Sequence, residues 1–262
     1  MSLKVCVLGS GSTGNCIYVR SENATVLVDL GIPVTRAEKC LIALGADPDD
    51  VSIVFTHAHA DHIGGAEKYC RRHPATKLYC HDDCYGSIYR KIGECRHRLA
   101  HYGSDFYIGD ITVSPFRLSH DVSCVGYGLL SGGKKVAIAT DTGVMPDEAM
   151  TALLDSDLAI VESNHDPSLL RANDAYSPFL KQRILSNEGH LSNEACAECV
   201  YKLVNNGVKR IILAHLSREN NYPELAFESC KNYLLSRGKT EGEDFALEVA
   251  SPDKMSGLYE IS

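Results

Sequence analysis

The stretch Val51-Ser52-Ile53-Val54-Phe55-Thr56-His57-Ala58-His59-Ala60-Asp61-His62, followed closely by Gly64-Gly65, sets the reading of the whole chain. A buried strand over Ser52 to Phe55 runs directly into four potential metal ligands within six residues. Residues two apart in an extended segment point to the same side, so His57 and His59 face one way. Asp61 and His62 begin the turn that follows, and the glycine pair lets the chain reverse tightly. Imidazole combined with carboxylate suits zinc, manganese or iron. Solvated surface histidines would show no such spacing, so the stretch reads as part of a metal site.

Its remaining ligands must come from elsewhere, and three other segments have the same form, a strand ending in His or Asp. They are Phe116-Arg117-Leu118-Ser119-His120-Asp121, Lys135 to Ala139 leading through Thr140 to Asp141, and Arg210 to Ala214 leading to His215. Asp29 closes Val26-Leu27-Val28 in a similar way. Strand ends are rigid supports around a shared rim, where working groups are held best.

Working outward, Val5 to Leu8, Cys16 to Val19 and Thr25 to Leu30 read as further strands of a first group, with helices over Arg36 to Leu44 and Gly64 to Arg72. Ile111 to Arg117, Gly126 to Leu130 and Lys135 to Ala139 form a second group, turning at Gly132-Gly133. Helices over Glu194 to Asn205 and Tyr222 to Ser236 surround the strand Arg210 to Ala214. Two strand groups, each followed by helices, predict sheets covered by helices in a single domain spanning 1–262. Gly9-Ser10-Gly11-Ser12-Thr13-Gly14 fits the dinucleotide-binding fingerprint, but that chemistry requires a helix to open at the last glycine. Asn15-Cys16-Ile17-Tyr18-Val19 is β-rich, so the segment is expected to be a turn between strands.

The 262 residues are 44% hydrophobic and 23% charged, the balance of an ordinary globular protein. The net charge of −8 gives no general attraction to nucleic acid, so any such surface must be local. One candidate runs from Lys68 to His101, with eight Lys/Arg against three Asp/Glu, and Tyr85 and Tyr89 interleaved. Arg96 and Arg98 are its candidate phosphate contacts. No apolar run is long enough to cross a membrane, and the N-terminal residues lack the pattern of a secretory leader. Eleven scattered cysteines, an odd number, argue for reduced thiols and a cytoplasmic location. Cys196 and Cys199 lack a matching second pair and read as core residues.

The motif HxHxDH, followed by His, Asp and His at strand ends, resembles the metallo-β-lactamase superfamily from Asp29 to His215. The resemblance implies an αββα sandwich with two divalent cations at one edge of its sheets, zinc or manganese, with iron as a further candidate. It implies His57, His59 and His120 around one cation, Asp61, His62 and His215 around the other, and Asp141 bridging both. Asp29 would support the ligands by hydrogen bonding. Such a pair of cations makes hydrolysis the expected reaction, with Asp61 orienting the nucleophile or accepting its proton. The redox-active flavodiiron branch normally carries Glu where His57 stands.

Asp at position 141 leaves thioester hydrolases and phosphodiesterases as the candidate classes. The 74 positions from Asp141 to His215 leave no room for the inserted domain of β-CASP nucleases. The 21 from His120 to Asp141 leave none for the tRNA-gripping arm of ribonuclease Z. Leu8 to Asn15, Val161-Glu162-Ser163-Asn164-His165-Asp166 and Gly189-His190-Leu191-Ser192 together resemble the YycJ/WalJ branch. That implies a 5′-to-3′ DNA exonuclease linked to mismatch repair, with DNA as its partner. His190 would contact a phosphate or protonate a leaving oxygen, Glu162 and His165 would support the site, and Ser192 would contact substrate or cap a helix. The alternatives are a small-molecule hydrolase, either a PhnP-like cyclic phosphodiesterase or a glyoxalase II-like thioesterase, and a nucleic-acid-binding protein with a structural metal. The spacing leaves the oligomeric state open.

Overall fold

A computed structural model describes residues 2–262. The first half runs β1 (Leu3–Gly9), β2 (Cys16–Arg20), β3 (Thr25–Val28), α1 (Val34–Ala43), β4 (Ser52–Phe55), the single turn α2 (Ala60–Ile63), α3 (Ala66–Arg72), β5 (Lys77–His81), α4 (Asp82–Lys91), a 3-10 turn over Gly93–Arg98 and β6 (Leu99–Tyr102). The second half runs β7 (Phe106–Ile108), β8 (Ile111–Leu118), β9 (Cys124–Ser131), β10 (Lys134–Ala139), α5 (Asp147–Leu154), β11 (Leu158–Glu162), α6 (Pro167–Ala172), α7 (Pro178–Ile184), α8 (Asn193–Asn205), β12 (Arg210–Ala214), α9 (Pro223–Leu235), β13 (Ala246–Val249) and β14 (Tyr259–Ile261).

The strands form two seven-stranded sheets, ordered β14-β1-β2-β3-β4-β5-β6 and β13-β12-β11-β10-β9-β8-β7. Period two places successive side chains on opposite faces, and the central strands of the second sheet show it. Val136, Ile138, Leu158, Ile160 and Ile212 join the core shared with the first sheet. Ala137, Ala139, Ala159, Val161, Ile211 and Leu213 alternate with them and pack with α5, α8 and α9. These strands are apolar on both faces because both faces are covered. With α1, α3 and α4 contributing Leu41, Tyr69 and Ile88 to the first sheet's core, the result is the αββα sandwich expected from the sequence.

Parallel pairing sets up the site. β3, β4 and β5 run parallel in one sheet, and β10 to β13 run parallel in the other. Their C-terminal ends therefore line up, which is where open α/β sheets hold ligands. The strand expected to reach Leu30 stops at Val28, because Asp29 turns into left-handed backbone at φ 62°. Asp141 (φ 66°) and His215 (φ 56°) do the same just beyond β10 and β12. These are the only non-glycine residues with positive φ among the described residues. Such conformations cost free energy and persist where the surroundings over-determine them.

The segment Gly9 to Gly14 is a turn between β1 and β2, as its β-rich continuation requires. No helix among the described residues is long and apolar enough to cross a membrane. All eleven cysteines are free, and ten are buried, including Cys196 and Cys199.

Candidate metal centre

The loop after β4 starts from a buried carboxylate. Asp29 accepts the Thr56 N–H at 2.9 Å, the Thr56 hydroxyl at 2.8 Å and His62 Nδ1–H at 2.7 Å. With its hydroxyl proton spent on Asp29, Thr56 Oγ1 can only accept from His57 Nδ1, 3.0 Å away. Both imidazoles thereby turn the nitrogen without the Nδ1 hydrogen, Nε2, toward the cluster. The partners assign these tautomers. His57 Nε2 is fully buried and finds no hydrogen-bond donor.

A second buried carboxylate does the same work from the other sheet. Glu162, at the end of β11, accepts the backbone N–H groups of Thr142 and Leu191 on one oxygen, at 2.9 and 3.1 Å. Its other oxygen accepts His190 Nδ1–H at 2.8 Å and His215 Nδ1–H at 2.7 Å. His215 is clamped further through its backbone, since Ser10 Oγ accepts its N–H and Asn164 Nδ2 donates to its carbonyl. His120 Nδ1–H donates to the Gly189 carbonyl at 3.1 Å. That leaves His120 Nε2 facing His59 Nδ1 at 3.3 Å.

These atoms converge. Potential ligand atoms of His57, His59 and His120 lie within 4.8 Å of one another, and so do those of Asp61, His62 and His215. Asp141 lies between the sets, with Oδ2 3.2 Å from His62 Nε2 and Oδ1 3.4 Å from His215 Nε2. The 3.2 Å approach lacks hydrogen-bond geometry, so Asp141 Oδ2 is buried without a donor. Lone pairs facing one another, an orphaned imidazole nitrogen and an orphaned carboxylate oxygen form a donor set that fits divalent cations.

The charge balance shows a cluster that calls for positive charge, which protons on His62 and His215 supply where a cation does not. Burial disfavours charge on His62 and His215, yet Asp141 and the neighbouring carboxylates pull both upward, His215 to about 10. Burial would raise the Glu162 carboxyl, but the charges and hydrogen bonds of His190 and His215 hold it at about 2. Burial, helped by the neighbouring His62 charge, pushes His57 well below the usual histidine value, even though Asp141 lies close by and pulls the other way. Four carboxylates sunk among histidines draw positive charge into the cluster.

The glycine-rich turn is the floor of this cluster. Asn15 Oδ1 accepts the Gly11 N–H and the Ser10 hydroxyl, and Asn15 Nδ2 lies 3.0 Å from His62 Nε2. Asn15 N–H donates to the Asp61 carbonyl, and the Gly31 N–H donates to the Asn15 carbonyl. A Cβ on Gly31 would fall 1.6 Å from the Asp61 carbonyl oxygen, so the ligand loop rests on bare backbone there. Asn15 and Ser10 carry no sequence signal as ligand supports beyond their place in the quoted turn. Asp121 was equally inconspicuous, yet its Oδ1 lies 3.3 Å from Nε2 of both His59 and His120, and its Oδ2 meets Arg183 at 2.7 Å.

The other candidates are more dispersed. His190 lies against the cluster, its ring 5.1 Å from that of His120 and 5.3 Å from that of His215. The Ser192 hydroxyl accepts the Ala195 N–H and caps α8. His165 is buried, but neither ring nitrogen finds a partner, and burial lowers it to about 4. Arg98 is folded back onto the Cys70 carbonyl at 3.3 Å, while Arg96 lies exposed with its guanidinium 5.5 Å from the centre of the Tyr89 ring. Lys91 of the same basic segment donates to the Ala58 carbonyl, inside the ligand loop, at 2.9 Å.

Two covered sheets with such a cluster at their shared edge belong to a class of metal-dependent hydrolases. The chain is a member of the metallo-beta-lactamase superfamily, whose family model matches residues 9–215. It is 34% identical to the exodeoxyribonuclease WalJ of Streptococcus pneumoniae over 268 aligned positions, covering 100% of this chain and 99% of that protein. It is also 34% identical to the exodeoxyribonuclease YycJ of Bacillus anthracis, over 96% of this chain and 97% of that one. Among solved structures, the metallo-beta-lactamase fold protein YhfI of Bacillus subtilis superposes with a TM-score of 0.75 at 17% identity, covering 99% of this chain and 100% of YhfI.

Proposed function

We propose that this chain is a dinuclear metal-dependent exonuclease that removes nucleotides from 5′ ends of DNA. The observation that carries the reading is the convergence of ligand atoms around Asp141, in a chain similar over its whole length to exodeoxyribonucleases. His57, His59 and His120 would hold one cation, Asp61, His62 and His215 the other, and Asp141 would bridge them, with zinc or manganese the proposed metals. Divalent cations so placed supply positive charge to the attacked phosphoryl group and acidify water near neutral pH.

The chain's own residues then have distinct tasks. Asp61, 3.5 Å from both His62 Nε2 and His215 Nε2, orients the attacking water and accepts its proton. Asp29 and Glu162 keep the histidine Nδ1 positions protonated and their rings fixed. His190, pinned through Nδ1, offers Nε2 to a phosphate or to the leaving oxygen. Arg96 offers an exposed cation to the phosphate backbone. A cytoplasmic location and a link to mismatch repair belong to the same proposal and rest on the resemblance.

The test is degradation of linear duplex DNA labelled at either end, with Mn²⁺, Zn²⁺ or EDTA, beside an Asp61→Ala/His62→Ala double variant. Metal-dependent release of mononucleotides from 5′ ends is expected, absent in the variant. No degradation with any metal would overturn the reading, and cyclic phosphodiesters and thioesters would be tried next.

A further inference from the structure

From Arg171 to Glu188 no residue is buried, and α7 contributes nothing to either core. Packing therefore does not explain its composition. The segment is nonetheless tied to the metal centre. The Ile184 carbonyl accepts the His190 N–H, and the Gly189 carbonyl holds His120. Gly143, two residues beyond Asp141, lies so close to this segment that a Cβ there would fall 2.3 Å from the Ser186 carbonyl oxygen. Arg183 reaches Asp121, the carboxylate beside His59 and His120.

One turn before Arg183 stands Phe179. At 78% exposure it is the most exposed large apolar side chain among the described residues. Residues four apart are neighbours on a helix surface, so this ring shares a face with the Arg183 cation. Lys181, two residues from Phe179 and so on another side of the helix, donates to the Arg171 carbonyl at 2.6 Å, and α7 has no acidic residue. A lone exposed apolar side chain is ordinary. One set beside a cation at the rim of a metal cluster has the chemistry of a single-stranded nucleic-acid platform, an aromatic face for a base and a cation for its phosphate.

We propose that α7 holds an unpaired stretch of the DNA strand whose end enters the metal centre, with Phe179 stacking on a base and Arg183 meeting a phosphate. This rests on the exonuclease reading.

The chain has no tryptophan, so Phe179→Trp introduces a single tryptophan, excited apart from the tyrosines, at the proposed contact. The variant would be titrated with a dye-labelled thymidine oligonucleotide in EDTA, and in parallel with a phosphorothioate-linked one in Mn²⁺. Tryptophan quenching that saturates together with dye anisotropy is expected. Phe179→Ala should weaken binding about tenfold, while Phe179→Tyr keeps it. Binding without quenching, at unchanged affinity in Phe179→Ala, would overturn the platform and leave the exonuclease reading standing. No binding in either readout overturns the platform, and the end-labelled digestion then decides separately whether the exonuclease reading falls with it.

Discussion

The two halves of the metal centre are assembled by opposite means. On the first sheet, His57, His59, Asp61 and His62 all leave β4 in one short loop, and one carboxylate, Asp29, fixes its tautomers. On the second, His120, Asp141 and His215 come from the ends of β8, β10 and β12, and Glu162 ties His215 and His190 to two backbone amides. The first half is organised by local sequence. The second exists only once the strands from β8 to β12, antiparallel through β9 and parallel beyond β10, have found their register, so its geometry is coupled to the stability of the whole sheet.

Asp141 joins the halves, and breaking it should give the largest effect. Asp141→Asn keeps the shape but removes the charge placed between His62 and His215. We expect hydrolysis to fall on the order of 10³-fold, as for loss of a key electrostatic group, with metal content reduced in the purified protein. Near-normal turnover would falsify the joint role of Asp141.

The supporting carboxylates come next, and they test the asymmetry directly. Loss of such an outer partner typically lowers metal affinity or activity by about 10- to 100-fold. Glu162→Gln should lie at the upper end and Asp29→Asn at the lower. Glu162 has four donors to satisfy and holds His190 as well as His215. Metal titration and initial rates on the two variants would settle the order, and equal losses would mean the halves are not organised differently.

The same contrast explains what could be read beforehand. The loop His57 to His62 was legible because its ligands follow one strand at fixed spacing. His120, Asp141 and His215 were legible only as a repeated form, strand followed by ligand, and the resemblance supplied the pairing. The strand Leu158–Glu162 was missed, since a short apolar run buried on both faces has no periodicity to separate it from a helix. Asn15, Thr56 and Asp121 act through partners distant in sequence or through their own backbone, which no single-chain pattern reveals. The basic run Lys68 to His101 was visible as charge. Its internal engagements, Arg98 on Cys70 and Lys91 on Ala58, depend on the tertiary fold.

The smallest effect sharpens the comparison by leaving the carboxylate-held cluster. His215, surrounded by carboxylates, is pulled up to about 10, whereas His165, buried with both nitrogens unpartnered, is pushed down to about 4. An unfolded histidine titrates near 6.5, at roughly the usual value. Between that value and about 4 the unfolded chain binds a proton at His165 that the folded chain refuses. The neutral ring thus costs nothing above this window, and stability is lost as pH falls through it, by about 2 kcal/mol at pH 5. His165→Leu removes the proton site without breaking a hydrogen bond, so its stability at pH 7.5 should match the parent within about 1 kcal/mol. Urea unfolding of both proteins from pH 7.5 to 4.5 is the check. The variant should become the more stable of the two as the solution is acidified, and parallel curves would mean that burial does not hold His165 neutral.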